Sequence, residues 1–242
     1  VLAFLLLLRR VRSFDTHGHF LFFSSEMLRR LTNYAVPSIA QQSFVSVGNV
    51  IIQYYVNLCG ATVIAGYSAA TKVNMFALTC CMSFAPGLSS YVAQNIGARK
   101  LERIGPGLKA GALFSIGLAV VFMAVYLPFA GRLVGLFVPA GSASGVIDVG
   151  RQYLFILTPF YIIVCIKFVC DSVLRGAGAM RPFMVTTFSD LILRVGFSVI
   201  LYHVMGSELG IWLSWPIGWF LGSSISVFFY KRGVWKKNLP NL

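Results

Sequence analysis

"AGALFSIGLAVVFMAVYLPFAG", Ala110 to Gly131, decides the fold. It runs for 22 residues without a charged side chain, about the length that crosses the hydrocarbon core of a bilayer as a helix. A strand crossing the same core is about half as long and alternates in polarity. This run does neither, so it reads as a membrane helix that satisfies its own backbone. Immediately before it stands "SYVAQNIGARKLERIG", Ser90 to Gly105, which is polar, basic and carries two glycines. Upstream of that lies a second long apolar run.

Working outward, the whole chain follows this alternation. It is 57% hydrophobic and only 11% charged, with a mean hydropathy of +0.79, whereas soluble domains carry roughly 25% charged residues. Its 242 residues accommodate about six spans of roughly 20 residues with their loops. The spans are expected at Leu31–Asn57, Thr62–Val92, Leu108–Phe137, Val149–Leu174, Phe183–Met205 and Leu209–Tyr230. The fold class is therefore an all-α membrane protein built as a six-helix bundle.

The apolar segment Val1–Leu8 is too short to span. Its basic residues follow it, where a signal peptide would place them first, and the chain does not begin with Met. The expectation is that 1–8 is the end of a preceding transmembrane helix, 9–30 a cytoplasmic linker and 31–242 the six-helix unit. Net charge is +13, but its distribution does not point to nucleic acid. Arg9, Arg10, Arg12, Arg29 and Arg30 precede the first span. Arg99, Lys100, Arg103 and Lys109 follow the second, Arg175 and Arg181 the fourth, and Lys231, Arg232, Lys236 and Lys237 the sixth. The alternate loops hold only Arg132 and Arg151. Basic loops remain cytoplasmic, which places those segments and the C-terminus inside. "QNIGAR" is expected to end a helix at a glycine and turn the chain.

Charges inside the spans carry more information than those outside. Lys72, Lys167, Asp171, Asp190 and Arg194 all fall within apolar stretches, where a charge at mid-bilayer costs about 3 kcal/mol or more. They are expected to face a bundle interior or a water-filled cavity. Lys167 and Asp171 share a helix face at a spacing of four, as do Asp190 and Arg194; a Lys167–Asp190 pair across two neighbouring helices is also geometrically possible. Such charges either lock the bundle or serve transport. In the first span Gln42, Ser46, Asn49, Gln53 and Asn57 recur along one face, opposite Val47, Ile51 and Tyr55. That stripe either joins helices or lines an aqueous path. Tyr67, Thr71 and Asn74 share a face of the second span beside Lys72. Pro37, Pro86, Pro128, Pro159 and Pro216 each permit a bend.

Other chemistries are poorly provided for. His17 and His19 stand alone in the linker, short of the three or four ligands of a metal site. Cys59, Cys80, Cys81, Cys165 and Cys170 read as small buried apolar residues. No HExxH or GxSxG motif is present, so an enzyme is not expected, nor is a cofactor. Nothing suggests the ring of identical residues that a symmetric channel pore requires.

"YVAQNIGARKLERI", "DSVLRGAGAMRPFM" (Asp171–Met184), "LGIWLSWPIGWFLG" (Leu209–Gly222) and "PSIAQQSF" at Pro37 resemble, in order, segments of multidrug and toxic compound extrusion (MATE) transporters. The resemblance covers nearly the whole chain. It implies the C-terminal six-helix lobe of a twelve-helix, two-lobed transporter, with the N-terminal lobe of the same chain missing. It further implies a secondary antiporter that exports cationic or amphiphilic organic compounds in exchange for H+ or Na+, in a cell membrane, most simply the cytoplasmic membrane of a bacterium. Its partners would be the lipid bilayer and a small organic substrate. The family's cation site implies a role for Asp171, with Gln42 where many members carry a carboxylate. Lys167 and Asp190 are the remaining coupling candidates. Gln42, Asn49, Gln53, Lys72, Asn74 and Arg194 are candidates for the substrate path. A flippase of lipid-linked oligosaccharides within the same superfamily, and a non-transporting scaffold or channel subunit, are the alternatives.

Overall fold

A computed structural model describes residues 24–139 and 144–238. Among them are eight α-helices and no strand: α1 Ser25–Leu58, α2 Ala61–Met82, α3 Ala85–Gly97, α4 Ile104–Gly135, α5 Ser144–Leu157, α6 Tyr161–Gly176, α7 Met180–Met205 and α8 Glu208–Lys231. The chain divides into two compact units, 1–36 and 37–242. In the first, Ser24 opens the helix: its hydroxyl accepts a bond from the Met27 N–H at 3.3 Å, as an N-cap serine does. The expectations for 1–8 and for most of the linker, His17 and His19 included, fall outside the described residues.

Among the described residues of the second unit five stretches are long and apolar enough to cross a membrane: Ala61–Gly97, Leu101–Gly135, Gly145–Gly176, Met180–Met205 and Glu208–Lys231. The chain is thus a multi-pass membrane protein. The first expected span coincides with α1, which has the length but not the apolarity of the other five. Gln41, Gln42, Asn49, Gln53 and Asn57 lower it, all but Gln41 being amides of its polar stripe. Proline divides two of the spans. α2 stops at Met82 and α3 restarts with Pro86 in its first turn. Thr158–Phe160, containing Pro159, is a 3-10 turn between α5 and α6. A first-turn proline gives up no bond that a helix would use, so both spans can change direction there. Pro128 and Pro216 sit inside continuous helices.

Aromatic rings fill the centre. Tyr67 of α2 stacks on Trp212 of α8, centroids 5.1 Å apart and planes 7° from parallel, and Tyr153 of α5 meets the same indole edge-on at 5.1 Å. Two buried hydrogen bonds tie this layer together. Tyr126 donates to the Val73 carbonyl at 2.9 Å and Tyr161 to Asn74 Oδ1 at 2.8 Å.

A separate buried cluster closes one end. It joins Val92 from α3, Ile104 from α4, Val173 and Leu174 from α6, Phe183 from α7, and Trp235 beyond α8. The Arg99 loop, the Arg175–Arg181 loop and the segment after Lys231 therefore converge on the same end of this unit, as the charge asymmetry requires. The turn after α3 is not made by a glycine. Gly97 is the last helical residue, and Arg99 takes the left-handed conformation at φ 58°.

Candidate functional site

The interior charges come from α6 and α7, and α8 makes room for them. Gly218, Gly222 and Ser226 recur every four residues on α8, so they share one face. A Cβ at Gly222 would stand 2.8 Å from Asp190 Cβ, and one at Gly218 would stand 2.8 Å from Arg194 Cβ. Only bare backbone lets α7 approach so closely, the device that small residues provide between membrane helices.

Beside this seam is a cavity of about 310 Å³. Gln41, Gln42 and Asn49 of α1 reach it, as do Lys167 and Asp171 of α6, Asp190 and Arg194 of α7, and Trp215 and Trp219 of α8. Met75, Met82 and Phe168 add apolar wall. Lys167 and Asp171 are 5% and 6% exposed, deep enough that neither could stay charged unpaired. Lys167 Nζ lies 2.7 Å from Asp171 Oδ2, one turn along α6. Asp171 Oδ1 accepts from Ser226 Oγ at 2.7 Å, and Thr186 Oγ1 lies 3.1 Å from it, sharing its one proton between Asp171 and the Phe183 carbonyl at 2.8 Å. The carboxylate of α6 is thereby bonded to α7 and α8.

Its neighbours are less well satisfied. Among the described residues, buried Asp190 Oδ1 and Arg194 Nε have no hydrogen-bond partner. The Arg194 guanidinium lies over the Trp215 ring, 4.2 Å from its centroid, a cation–π contact that holds the charge without consuming its donors. Lys167 pairs within its own helix, where a bond to Asp190 was the alternative. Gln41 rather than Gln42 is the amide that bonds another helix, to Thr187 Oγ1 at 3.4 Å.

The cavity brings together six of the nine candidates: Gln42, Asn49, Lys167, Asp171, Asp190 and Arg194. The other three lie elsewhere. Gln53 bonds Asn57 along α1 at 2.8 Å. Asn74 is fully buried against Tyr161. Lys72 is exposed on the outside of the bundle, its ammonium 5.8 Å from the Phe137 ring centroid at the end of α4. A lysine part-way along a span does not have to turn inward, because its aliphatic stem carries the charge toward the interface. Sequence reasoning missed Thr186, Ser226, Trp215 and Trp219. The four-residue spacing of Gly218, Gly222 and Ser226 was the available signal for Ser226. No cluster of three or more metal-binding side chains occurs among the described residues.

The MatE family model matches residues 37–200. The chain is 23% identical to "Probable multidrug resistance protein YoeA" of Bacillus subtilis, over 92% of this chain and 48% of that protein. It is 26% identical to "Probable multidrug resistance protein YpnP" of the same organism, over 83% and 44%. Its fold superimposes with a TM-score of 0.82, at 19% identity, on the outward-facing conformation of a multidrug resistance MATE family transporter of the MOP superfamily, covering 92% of this chain and 50% of that one. The chain spans about half the length of the curated relatives it matches.

Proposed function

The chain belongs to the MatE family, and from that premise we propose that it forms one lobe of a secondary antiporter. The antiporter exports cationic or amphiphilic organic compounds in exchange for H+ or Na+, across the cytoplasmic membrane of a bacterium. A second six-helix lobe of the same polypeptide completes the path. The observation that carries this reading is Asp171: a buried carboxylate in a cavity, bonded at once to Lys167, Thr186 and Ser226. Ionisable groups inside a membrane bundle mark ion and substrate pathways.

Asp171 acts by holding α6 to α7 and α8. A change in its charge or partners weakens the bonds from Thr186 and Ser226, which frees α6 relative to both. The Thr158–Phe160 turn, in the same span, is where α6 can swing. Coupling then requires that the ion and the substrate prefer different states of this switch. Trp215, Trp219 and Phe168 supply flat apolar surface for an aromatic body, while the Asp190 carboxylate in the cavity wall supplies negative charge for a cationic group.

The test is reconstitution of the complete gene product in sealed vesicles with an imposed proton or sodium gradient. Gradient-dependent movement of a fluorescent cationic dye supports the reading; no movement of any amphiphile under either gradient contradicts it.

A further inference from the structure

Resting on that reading and refining its coupling ion, we infer that the Lys167 ammonium is a built-in monovalent cation that occupies the place beside Asp171 which a sodium ion would otherwise take. Lys167 is thus the residue that makes this carboxylate independent of sodium.

Asp171 has few acceptor sites to spare. A carboxylate offers about four lone-pair sites. Oδ2 accepts from Lys167 Nζ at 2.7 Å and Oδ1 from the Ser226 hydroxyl at 2.7 Å, while Thr186 Oγ1 stands 3.1 Å from Oδ1 and shares its one proton with the nearer Phe183 carbonyl at 2.8 Å. The charge is balanced as well, one carboxylate against one ammonium, with both side chains buried. An inorganic cation is held inside a membrane protein by oxygens with free lone pairs directed at it, and its charge must be matched in a medium of low dielectric constant. With Lys167 in place the charge of Asp171 is already matched and its Oδ2 already held by a cation.

The surroundings argue against a second role for the ammonium. The other cation nearby, Arg194, rests on the Trp215 ring. Asp190 has an unpartnered oxygen, but that oxygen faces the bare backbone of Gly222. Lys167 is bonded instead to the carboxylate that hydroxyls from two other helices already fix. Without the lysine, Asp171 Oδ2 would lose its bonded cation and the buried carboxylate its matching charge. An exposed carboxylate oxygen is the ligand that hard cations take.

The experiment measures binding and needs no transport, so a failure of antiport leaves it intact. The purified complete gene product is titrated with sodium chloride against choline chloride at constant ionic strength. Tryptophan fluorescence is followed, because Trp215 and Trp219 line the cavity. The wild type and Lys167→Arg are expected to respond identically to the two salts. Lys167→Ala is expected to gain a saturable sodium-specific response and a sodium-dependent rise in Tm, both lost when Asp171→Asn is added. A saturable sodium response in the wild type that Asp171→Asn removes would overturn the inference, and so would a folded Lys167→Ala that ignores sodium. Should Lys167→Ala not fold, the wild type and Lys167→Arg decide: a sodium response in either that depends on Asp171 overturns the inference, and insensitivity of both upholds it.

Discussion

Arg99 and Gly178 occupy the same position in two copies of one helix-ending motif. After α3, the N–H of Lys100 bonds the Asn95 carbonyl at 2.8 Å and that of Arg99 bonds Ile96 at 3.0 Å; after α6, Ala179 bonds Leu174 at 2.8 Å and Gly178 bonds Arg175 at 3.0 Å. Both central residues are left-handed, at φ 58° and φ 70°. This is the Schellman arrangement, in which one residue must adopt positive φ. Glycine does so freely, while a residue with a Cβ is strained by roughly 1–2 kcal/mol.

Arg99→Gly should therefore stabilise the protein by about 0.5–1 kcal/mol, net of the extra freedom glycine has when unfolded. Gly178→Ala should destabilise it by about 1 kcal/mol. Thermal unfolding in detergent reads both, and changes of the same sign at the two sites would refute the pairing.

Both turns should also lie in the cytoplasm, because the basic residues of both loops converge on one end of the bundle. In a background with the native cysteines replaced, an impermeant thiol reagent added outside should miss Lys100→Cys and label Ser207→Cys, at the opposite end of α7. The reverse pattern would invert the topology.

The contact of Gly222 with Asp190 predicts a second stability difference. Gly222→Leu should force α7 and α8 apart and cost about 1–3 kcal/mol or more. Gly196→Ala, on the same helix pair with nothing within 4 Å of the added carbon, should be neutral or stabilising by up to about 1 kcal/mol. A Tm for Gly222→Leu equal to that of Gly196→Ala would show that the close approach does not matter.

Removing the Tyr161 hydroxyl leaves Asn74 Oδ1 without its bond in a site of zero exposure. Tyr161→Phe should cost about 1–3 kcal/mol, read as a lower Tm with the helical circular dichroism unchanged.

Much of this molecule was legible in the sequence because membrane constraints are severe. Uncharged runs of span length leave few arrangements other than a helical bundle, and basic residues gathered in alternate loops assign their turns to one end of it. The i, i+4 spacing put Lys167 and Asp171 on one face, but left a pair between Lys167 and Asp190 open. What escaped depends on contacts between helices. Thr186 and Ser226 look like ordinary small polar residues until α7 and α8 place them on Asp171. Pro86 and Pro159 were read as bends, since membrane helices accept proline, yet each ends one helix and begins another. Lys72 was read as interior from its place in an apolar run, but the reach of its side chain is what decides its position.

Asp171 is the residue on which the proposed coupling depends. In the complete gene product, Asp171→Asn removes the charge that holds Lys167 and weakens the bonds from Thr186 and Ser226, so efflux of a cationic dye from intact cells should fall to the level of cells lacking the protein. Expression and membrane insertion should remain normal. Efflux by Asp171→Asn at the wild-type rate, at every pH and sodium concentration tested, would contradict the account and make the Asp171 cluster a structural clamp.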